Sequence, residues 1–122
     1  MMPVIKVYYV DDEPELCELF DDLFANSEVL ICTFSDPTVA LQKILTNPPD
    51  LLFMDYRMPE MNGFELAQRC PTHLKKYLIS GENNLTKDIL FEAILSKPLN
   101  IQLIQKIIMD AIKNGSLGGT SA

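Results

Sequence analysis

The stretch LLFMDYRMPEMNG, Leu51 to Gly63, decides how the chain is organised. It opens with four apolar residues and places a carboxylate, Asp55, where the apolar run ends. A short run that is almost wholly apolar is typical of a strand covered on both faces, as in parallel sheets. A charge at its end is costly unless it is paired, hydrogen-bonded or bound to a metal. We therefore expect a parallel strand that carries Asp55 to a functional edge.

The rest of the chain alternates β-like runs with amphipathic stretches, which is the pattern of βαβ units. Helices are predicted after each strand, with Ser35 and Asp36 as capping residues of the second and Asn100 capping the last. Periodicity places Leu19 on the apolar face of the first helix and Leu45 on that of the second. Five strands and five helices predict an α/β fold with a single doubly wound, five-stranded parallel sheet. The strands are predicted at 4–10, 29–34, 50–55, 76–80 and 93–96.

Length and composition bound the function. With 122 residues, 48% of them hydrophobic, the chain suits one domain, predicted at 1–114 and followed by a flexible tail or the start of a linker at 115–122. No apolar run approaches the roughly 20 residues that span a bilayer, and the first residues lack signal-peptide features, so we expect a cytoplasmic protein without membrane contact. A net charge of −7 argues against direct nucleic-acid binding. Three cysteines without a CxxC pair favour buried thiols.

The carboxyl ends of the predicted strands carry the reactive side chains. Ligands of open parallel sheets bind beyond those ends, where the chain places Asp11, Asp12, Asp55, Ser80 and Lys97. Three carboxylates on one rim repel each other, which a divalent cation would relieve, and an all-oxygen site beside a phosphate suits Mg²⁺. Ser80 and Lys97 would complete a phosphoryl pocket. Acids occupy the turn where a dinucleotide-binding fold needs glycines, so such a fold is not expected.

Four motifs carry a family resemblance. YYVDDEPE, LLFMDYRMPEMNG, YLISGE and SKP occur in the order and at the strand positions of a bacterial response-regulator receiver domain. The chain resembles this family from about Val4 to Asn114. The resemblance implies a flavodoxin-like sheet with strand order 2-1-3-4-5.

The resemblance also implies roles for individual residues. Asp55 resembles the phospho-accepting aspartate, Lys97 the lysine that contacts the phosphoryl group, and Ser80 the switch hydroxyl. Pro98 resembles the family's proline after that lysine, which often follows a cis bond. The implied Mg²⁺ ligands are Asp11, Asp12, Asp55 and the main-chain carbonyl of Arg57.

The implied function is a phospho-accepting signalling module of a two-component phosphorelay. Asp55 would receive a phosphoryl group from a phosphohistidine in an Mg²⁺-dependent reaction, which would switch partner binding. The implied partners are a sensor histidine kinase or histidine phosphotransfer protein and a downstream effector, with a phosphorylation-dependent dimer also considered. Apart from this self-catalysed phosphotransfer and dephosphorylation, no enzyme activity is expected.

Three positions depart from the family pattern. Ile94 stands where receivers usually carry an aromatic residue three positions before the lysine. The interval between Ser80 and Lys97 is several residues shorter than in most members, which predicts a shortened helix between strands four and five. Arg57 and Glu82 sit at positions that modulate the loss of phosphate, and as a pair they predict a salt bridge across the pocket mouth and a longer-lived phosphoryl group.

Two other functions stay open. A pseudo-receiver that binds proteins without phospho-switching would fit Ile94 and the short interval that follows Ser80. A phosphatase of the haloacid-dehalogenase type also uses a strand-end aspartate and Mg²⁺, but it needs an acid two residues after the nucleophile, where this chain has Arg57.

Overall fold

Five parallel strands form the centre of the computed structural model, which describes residues 5–82, 85 and 88–121, with side chains up to 114. Numbered along the chain, they are β1 (Ile5–Val10), β2 (Val29–Phe34), β3 (Leu51–Asp55), β4 (Lys75–Ser80) and β5 (Ala93–Ser96). Their order in the sheet is β2-β1-β3-β4-β5. The predicted α/β class and strand order are confirmed. Position 4 of the predicted first strand lies outside the described residues.

Four helices cover the two faces of the sheet in the described part of the chain. They are α1 (Pro14–Phe24), α2 (Pro37–Thr46), α3 (Gly63–Arg69) and α4 (Ile101–Ser121). The α1 and α4 helices bury Phe20 and Ile104 in one core layer, whereas α2 and α3 bury Ile44 and Leu66 in the other. None of these helices combines the length and the apolar character that crossing a bilayer requires.

The predicted helix starts are confirmed by their caps. The Asp36 carboxylate accepts a hydrogen bond from the Thr38 amide at 2.9 Å, and the Asn100 side chain accepts one from the Leu103 amide at 3.1 Å. Each cap satisfies an amide that has no partner within the first turn. The helix α4 continues past residue 114 to Ser121. The predicted domain boundary at residue 114 stays a prediction.

None of the described residues in 81–92 is helical. The helix predicted between β4 and β5 is therefore lost there, and the described part of the chain has four helices where five were predicted. Short polar side chains favour turns here because they bond to nearby main-chain groups. Asp88, for example, accepts a hydrogen bond from the Leu90 amide at 2.9 Å. Just before the segment, the Ser80 carbonyl accepts a hydrogen bond from the amide of Lys97, which follows β5, at 2.9 Å.

Leu19 and Leu45, which were predicted to face the core, lie at the surface instead. Leu19 is 43% exposed and Leu45 is 57% exposed. Each precedes or follows a fully buried helical neighbour, Phe20 or Ile44. Successive helical residues point about 100° apart. When one residue lies at the centre of the buried stripe, the next therefore lies near the edge of that stripe, closer to solvent.

Candidate functional site

Three carboxylates converge at the carboxyl edge of the sheet. Val10 and Met54 are register partners of the adjacent strands β1 and β3, so the acids that follow them emerge side by side. One carboxylate oxygen from each of Asp11, Asp12 and Asp55 lies within 4.8 Å of the others. Asp11 and Asp55 are buried and Asp12 is half-buried. The rim predicted from the sequence therefore exists, and its electrostatic repulsion is concentrated where little solvent can screen it.

Two hydrogen bonds hold the Asp11 carboxylate. Its Oδ1 atom accepts from the Glu13 amide at 3.0 Å, and its Oδ2 atom accepts from the Tyr9 hydroxyl at 2.6 Å. Burial and the hydrogen bond to Asp11 both raise the pKa of Tyr9, so its hydroxyl keeps the proton that it donates. Asp11 thus has a fixed orientation before anything binds.

The Asp55 carboxylate is paired with a cation from β5's end. Lys97 Nζ lies 2.9 Å from Asp55 Oδ1. Burial raises the pKa of Asp55; the hydrogen bond from Lys97 works against that rise, and the neighbouring carboxylate of Asp11 adds to it. Burial alone would lower the pKa of Lys97, but the hydrogen bond and the charges of Asp55 and the nearby acids outweigh it, so that pKa is raised. The ammonium therefore stays charged beside the carboxylate.

Ser80 lies at the same rim, at the end of the next strand. Its side chain is buried, and its Oγ atom accepts a hydrogen bond from the Glu82 amide at 3.0 Å. Within the described residues, the Ser80 hydroxyl makes no hydrogen bond to Asp55. The main-chain link to Lys97 nevertheless ties these two predicted site residues together.

The predicted bridge at the mouth of the site is confirmed. Arg57 Nη2 lies 2.8 Å from Glu82 Oε2. The Arg57 side chain is 77% exposed, whereas the Glu82 oxygen is buried and the approach is not aligned for a hydrogen bond. The two side chains are therefore close enough for an ion pair, and the carboxylate oxygen of Glu82 is shielded from solvent. An open depression of about 430 Å³ lies beside it, lined in part by Asp12, Arg57 and Asn62.

The loop after Asp55 is fixed by α3. Asn62 and Glu65 form a reciprocal capping box at 2.9 and 3.0 Å, which anchors the start of the helix. A Cβ atom on Gly63 would meet the Asp55 carbonyl oxygen at 2.8 Å and a Leu78 methyl carbon at 2.4 Å. Only glycine lets the helix approach the end of β3 this closely.

One departure from the family pattern, Ile94, lies in β5, and one agreement with it follows β5. Ile94 is half-buried and packs against the core layer under α2 and α3. The peptide bond between Lys97 and Pro98 is cis, as the resemblance implied.

The sequence interpretation missed Tyr9. The available signal was its spacing, since residues two apart on a strand share one face, which puts the Tyr9 ring beneath Asp11. Tyrosines in strands are common core residues, so the spacing alone did not single it out.

A doubly wound sheet with an acid cluster and a lysine at its carboxyl rim is the arrangement that the receiver resemblance implied. The sequence model described as the response regulator receiver domain matches residues 7–109. The chain belongs to this family.

Curated relatives match over parts of their length. The response regulator GtcR of Aneurinibacillus migulanus is 30% identical over 101 residues, covering 77% of this chain and 42% of that protein. A protein-glutamate methylesterase/protein-glutamine glutaminase of Bdellovibrio bacteriovorus is 33% identical over 76 residues, covering 60% of this chain and 21% of that protein. The chain thus spans less than half of either relative.

Solved structures share the fold. A receiver domain protein from Clostridium thermocellum superimposes with a TM-score of 0.79 at 23% identity, covering 92% of this chain and 97% of that one. The receiver domain of a putative LuxO repressor protein from Vibrio parahaemolyticus gives the same TM-score at 19% identity, covering 99% and 98%.

Proposed function

We propose that the chain is a phospho-accepting signalling module in which Asp55 receives a phosphoryl group from a phosphohistidine. The observation that carries the proposal is the placement of Lys97 Nζ 2.9 Å from Asp55, within a cluster of three carboxylates. A nucleophile, a fixed cation and a candidate metal site are the parts that phosphoryl transfer needs.

The acid cluster fits Mg²⁺. Its ligands would be Asp11, Asp12, Asp55 and the main-chain carbonyl of Arg57, an all-oxygen set with room for water and phosphate oxygens. The bound ion would supply positive charge to the phosphoryl oxygens.

Asp55 would act as the nucleophile. One of its carboxylate oxygens forms a bond to phosphorus while the phosphorus–nitrogen bond of the donor breaks. The electron pair of that bond returns to the imidazole, which leaves neutral when its other nitrogen carries a proton. Lys97 offsets the charge of the phosphoryl oxygens, and the buried rim positions the reactants.

Ser80 would transmit the change. In the described residues its hydroxyl accepts one hydrogen bond and donates none, so its proton is available for a phosphoryl oxygen. A new hydrogen bond would draw the start of the 81–92 segment toward the site and bias the surface that a partner contacts. The partners would be a histidine kinase or histidine phosphotransfer protein and an effector, in the cytoplasm, with a phosphorylation-dependent dimer as a further form of output.

A pseudo-receiver is the second candidate function. Ile94 replaces the aromatic residue that usually reports phosphorylation, and the described part of 81–92 has no helix to move. Such a domain would bind its partner through a surface that does not depend on Asp55.

Intact-mass measurement after incubation with Mg²⁺ and acetyl phosphate distinguishes these functions. A single phosphoryl adduct that is abolished by EDTA and by Asp55→Asn supports the proposed function. A wild-type chain that gains no adduct supports the pseudo-receiver. Sustained hydrolysis of a phosphate ester would instead indicate a phosphatase.

A further inference from the structure

The Tyr9 hydroxyl is a buried donor to the acid cluster. Tyr9 is fully buried, and its hydroxyl oxygen lies 2.6 Å from Asp11 Oδ2. Tyr9 lies in the core layer toward α1 and α4, and Asp11 follows it by two positions, just past the end of β1, so their side chains point to the same side. A phenolic donor at this distance forms a strong hydrogen bond to a carboxylate.

An aromatic cluster fixes the position of this hydroxyl. The Tyr9 ring stacks on Phe20 with 4.2 Å between centroids and 6° between planes. Phe20 in turn contacts Phe24 and Phe53, with centroids 4.7 and 5.6 Å apart. All four rings are buried, so the hydroxyl cannot move without repacking this core layer.

Asp11 has a different environment from Asp55. Asp55 is paired with Lys97, whereas no described cation lies within ion-pair distance of Asp11. Among the described residues, Tyr9 is the one side chain that donates to the Asp11 carboxylate; the other donor is the Glu13 amide. Each carboxylate oxygen has two lone pairs, so these bonds orient Asp11 and leave it able to bind a metal.

We infer that Tyr9 is a positioning residue for the metal site: its hydroxyl holds the Asp11 carboxylate and thereby sets the affinity of the cluster for a divalent cation. The inference rests on the proposed role of Asp11 in binding Mg²⁺. Without the hydroxyl, Asp11 loses one of its two restraints while it still faces the charges of Asp12 and Asp55. Removal of an outer-shell partner of this kind typically weakens metal binding by about 10- to 100-fold.

The test is the dissociation constant for Mg²⁺, measured on the full chain by isothermal titration calorimetry. Tyr9→Phe keeps the ring and its stacking and removes the hydroxyl alone. Tyr8→Phe is the matched control: Tyr8 is also fully buried, and its hydroxyl donates to the Asn47 carbonyl at 2.5 Å, away from the acids. We expect Tyr9→Phe to raise the constant about tenfold or more and Tyr8→Phe to leave it within twofold of the wild type.

A double-mutant cycle shows whether the effect passes through Asp11. If it does, Tyr9→Phe changes the constant much less in an Asp11→Asn background than in the wild type. Tyr9→Met, which fills the space without a hydroxyl, must weaken binding in the same direction and keeps the test valid if the phenylalanine variant folds poorly. Urea unfolding of each variant confirms that folded chains are compared.

The outcomes separate the inference from the proposed function. A wild type that binds Mg²⁺, with equal constants for Tyr9→Phe and Tyr8→Phe, overturns the inference and leaves the proposed function standing. A wild type that binds no Mg²⁺ overturns the metal site and the inference with it.

Discussion

Replacing Arg57 by alanine would open the mouth of the proposed phosphorylation site. Arg57 Nη2 lies 2.8 Å from Glu82 Oε2, and the two side chains follow Asp55 and Ser80 by two residues each. We therefore expect the pair to lie across the route by which water would reach a phosphoryl group on Asp55. Alanine removes the guanidinium but keeps the main-chain carbonyl that is proposed to bind Mg²⁺.

The expected effect is modest, because the Arg57 side chain is mostly exposed. Exposed ion pairs contribute about 0.2–1 kcal/mol. If all of that energy must be lost before water attacks, hydrolysis of the phosphoryl group would be roughly 1.4- to 5-fold faster in Arg57→Ala than in the wild type. At about 1 M salt, where the screening length falls to about 3 Å, the difference should shrink.

The assay follows the loss of the phosphoryl adduct by intact mass after the donor is removed. Arg69→Ala is the matched control, because Arg69 is exposed on α3 and forms no ion pair within the described residues. Its half-life should equal that of the wild type. Glu82→Ala, alone and combined with Arg57→Ala, shows whether the two side chains act as a pair. A wild-type half-life no longer than that of Arg57→Ala would refute the reasoning.

Three further predictions concern stability and reactivity. Gly63→Ala should destabilise the fold by about 1–3 kcal/mol, seen as a lower urea midpoint, because the added Cβ meets the Asp55 carbonyl oxygen, whereas Gly81→Ala has open space and should be neutral. Burial raises the pKa of Asp55 above its ordinary value of 3.8, so the folded state loses stability as the pH rises and Asp55 ionises. Asp55→Asn should therefore be more stable than the wild type near pH 7 and should lose this advantage below about pH 3.8. An equal difference in unfolding free energy at both pH values would contradict this. Burial raises the pKa of the Cys70 thiol to about 11, so little of the reactive thiolate forms at pH 8. Iodoacetamide at this pH should modify the half-buried Cys32 first and Cys70 only on unfolding, and peptide mass mapping would show the order.

The parts of the fold that follow from local chemistry could be predicted from the sequence. The apolar run before Asp55 indicated a strand covered on both faces, and Asp36 and Asn100 marked helix starts through their side chains. Such features depend on a few neighbouring residues. The acid cluster could also be predicted, because parallel strands bring their carboxyl ends to one edge of the sheet.

Other features depend on packing that a one-dimensional pattern does not contain. Leu45 matched a helical apolar stripe, yet the width of the buried stripe is set by how α2 lies on the sheet. The role of Tyr9 depends on the stacking that aims its hydroxyl at Asp11. The geometry of 81–92 depends on turn-forming side chains and on the fixed ends of β4 and β5. The short interval between Ser80 and Lys97 therefore predicted a shorter helix but not how much of the helix would be lost.

The hydrogen bond from the Lys97 amide to the Ser80 carbonyl has a mechanical consequence. At the other end of the same two strands, the Glu92 amide donates to the Lys76 carbonyl at 2.7 Å. The crossover that joins β4 to β5, residues 81–92, is close to the minimum length for connecting parallel strands, so it cannot lengthen when one strand moves. A displacement of Ser80 would therefore pull on Lys97 directly, and insertions into this segment would loosen that link while leaving the acid cluster intact.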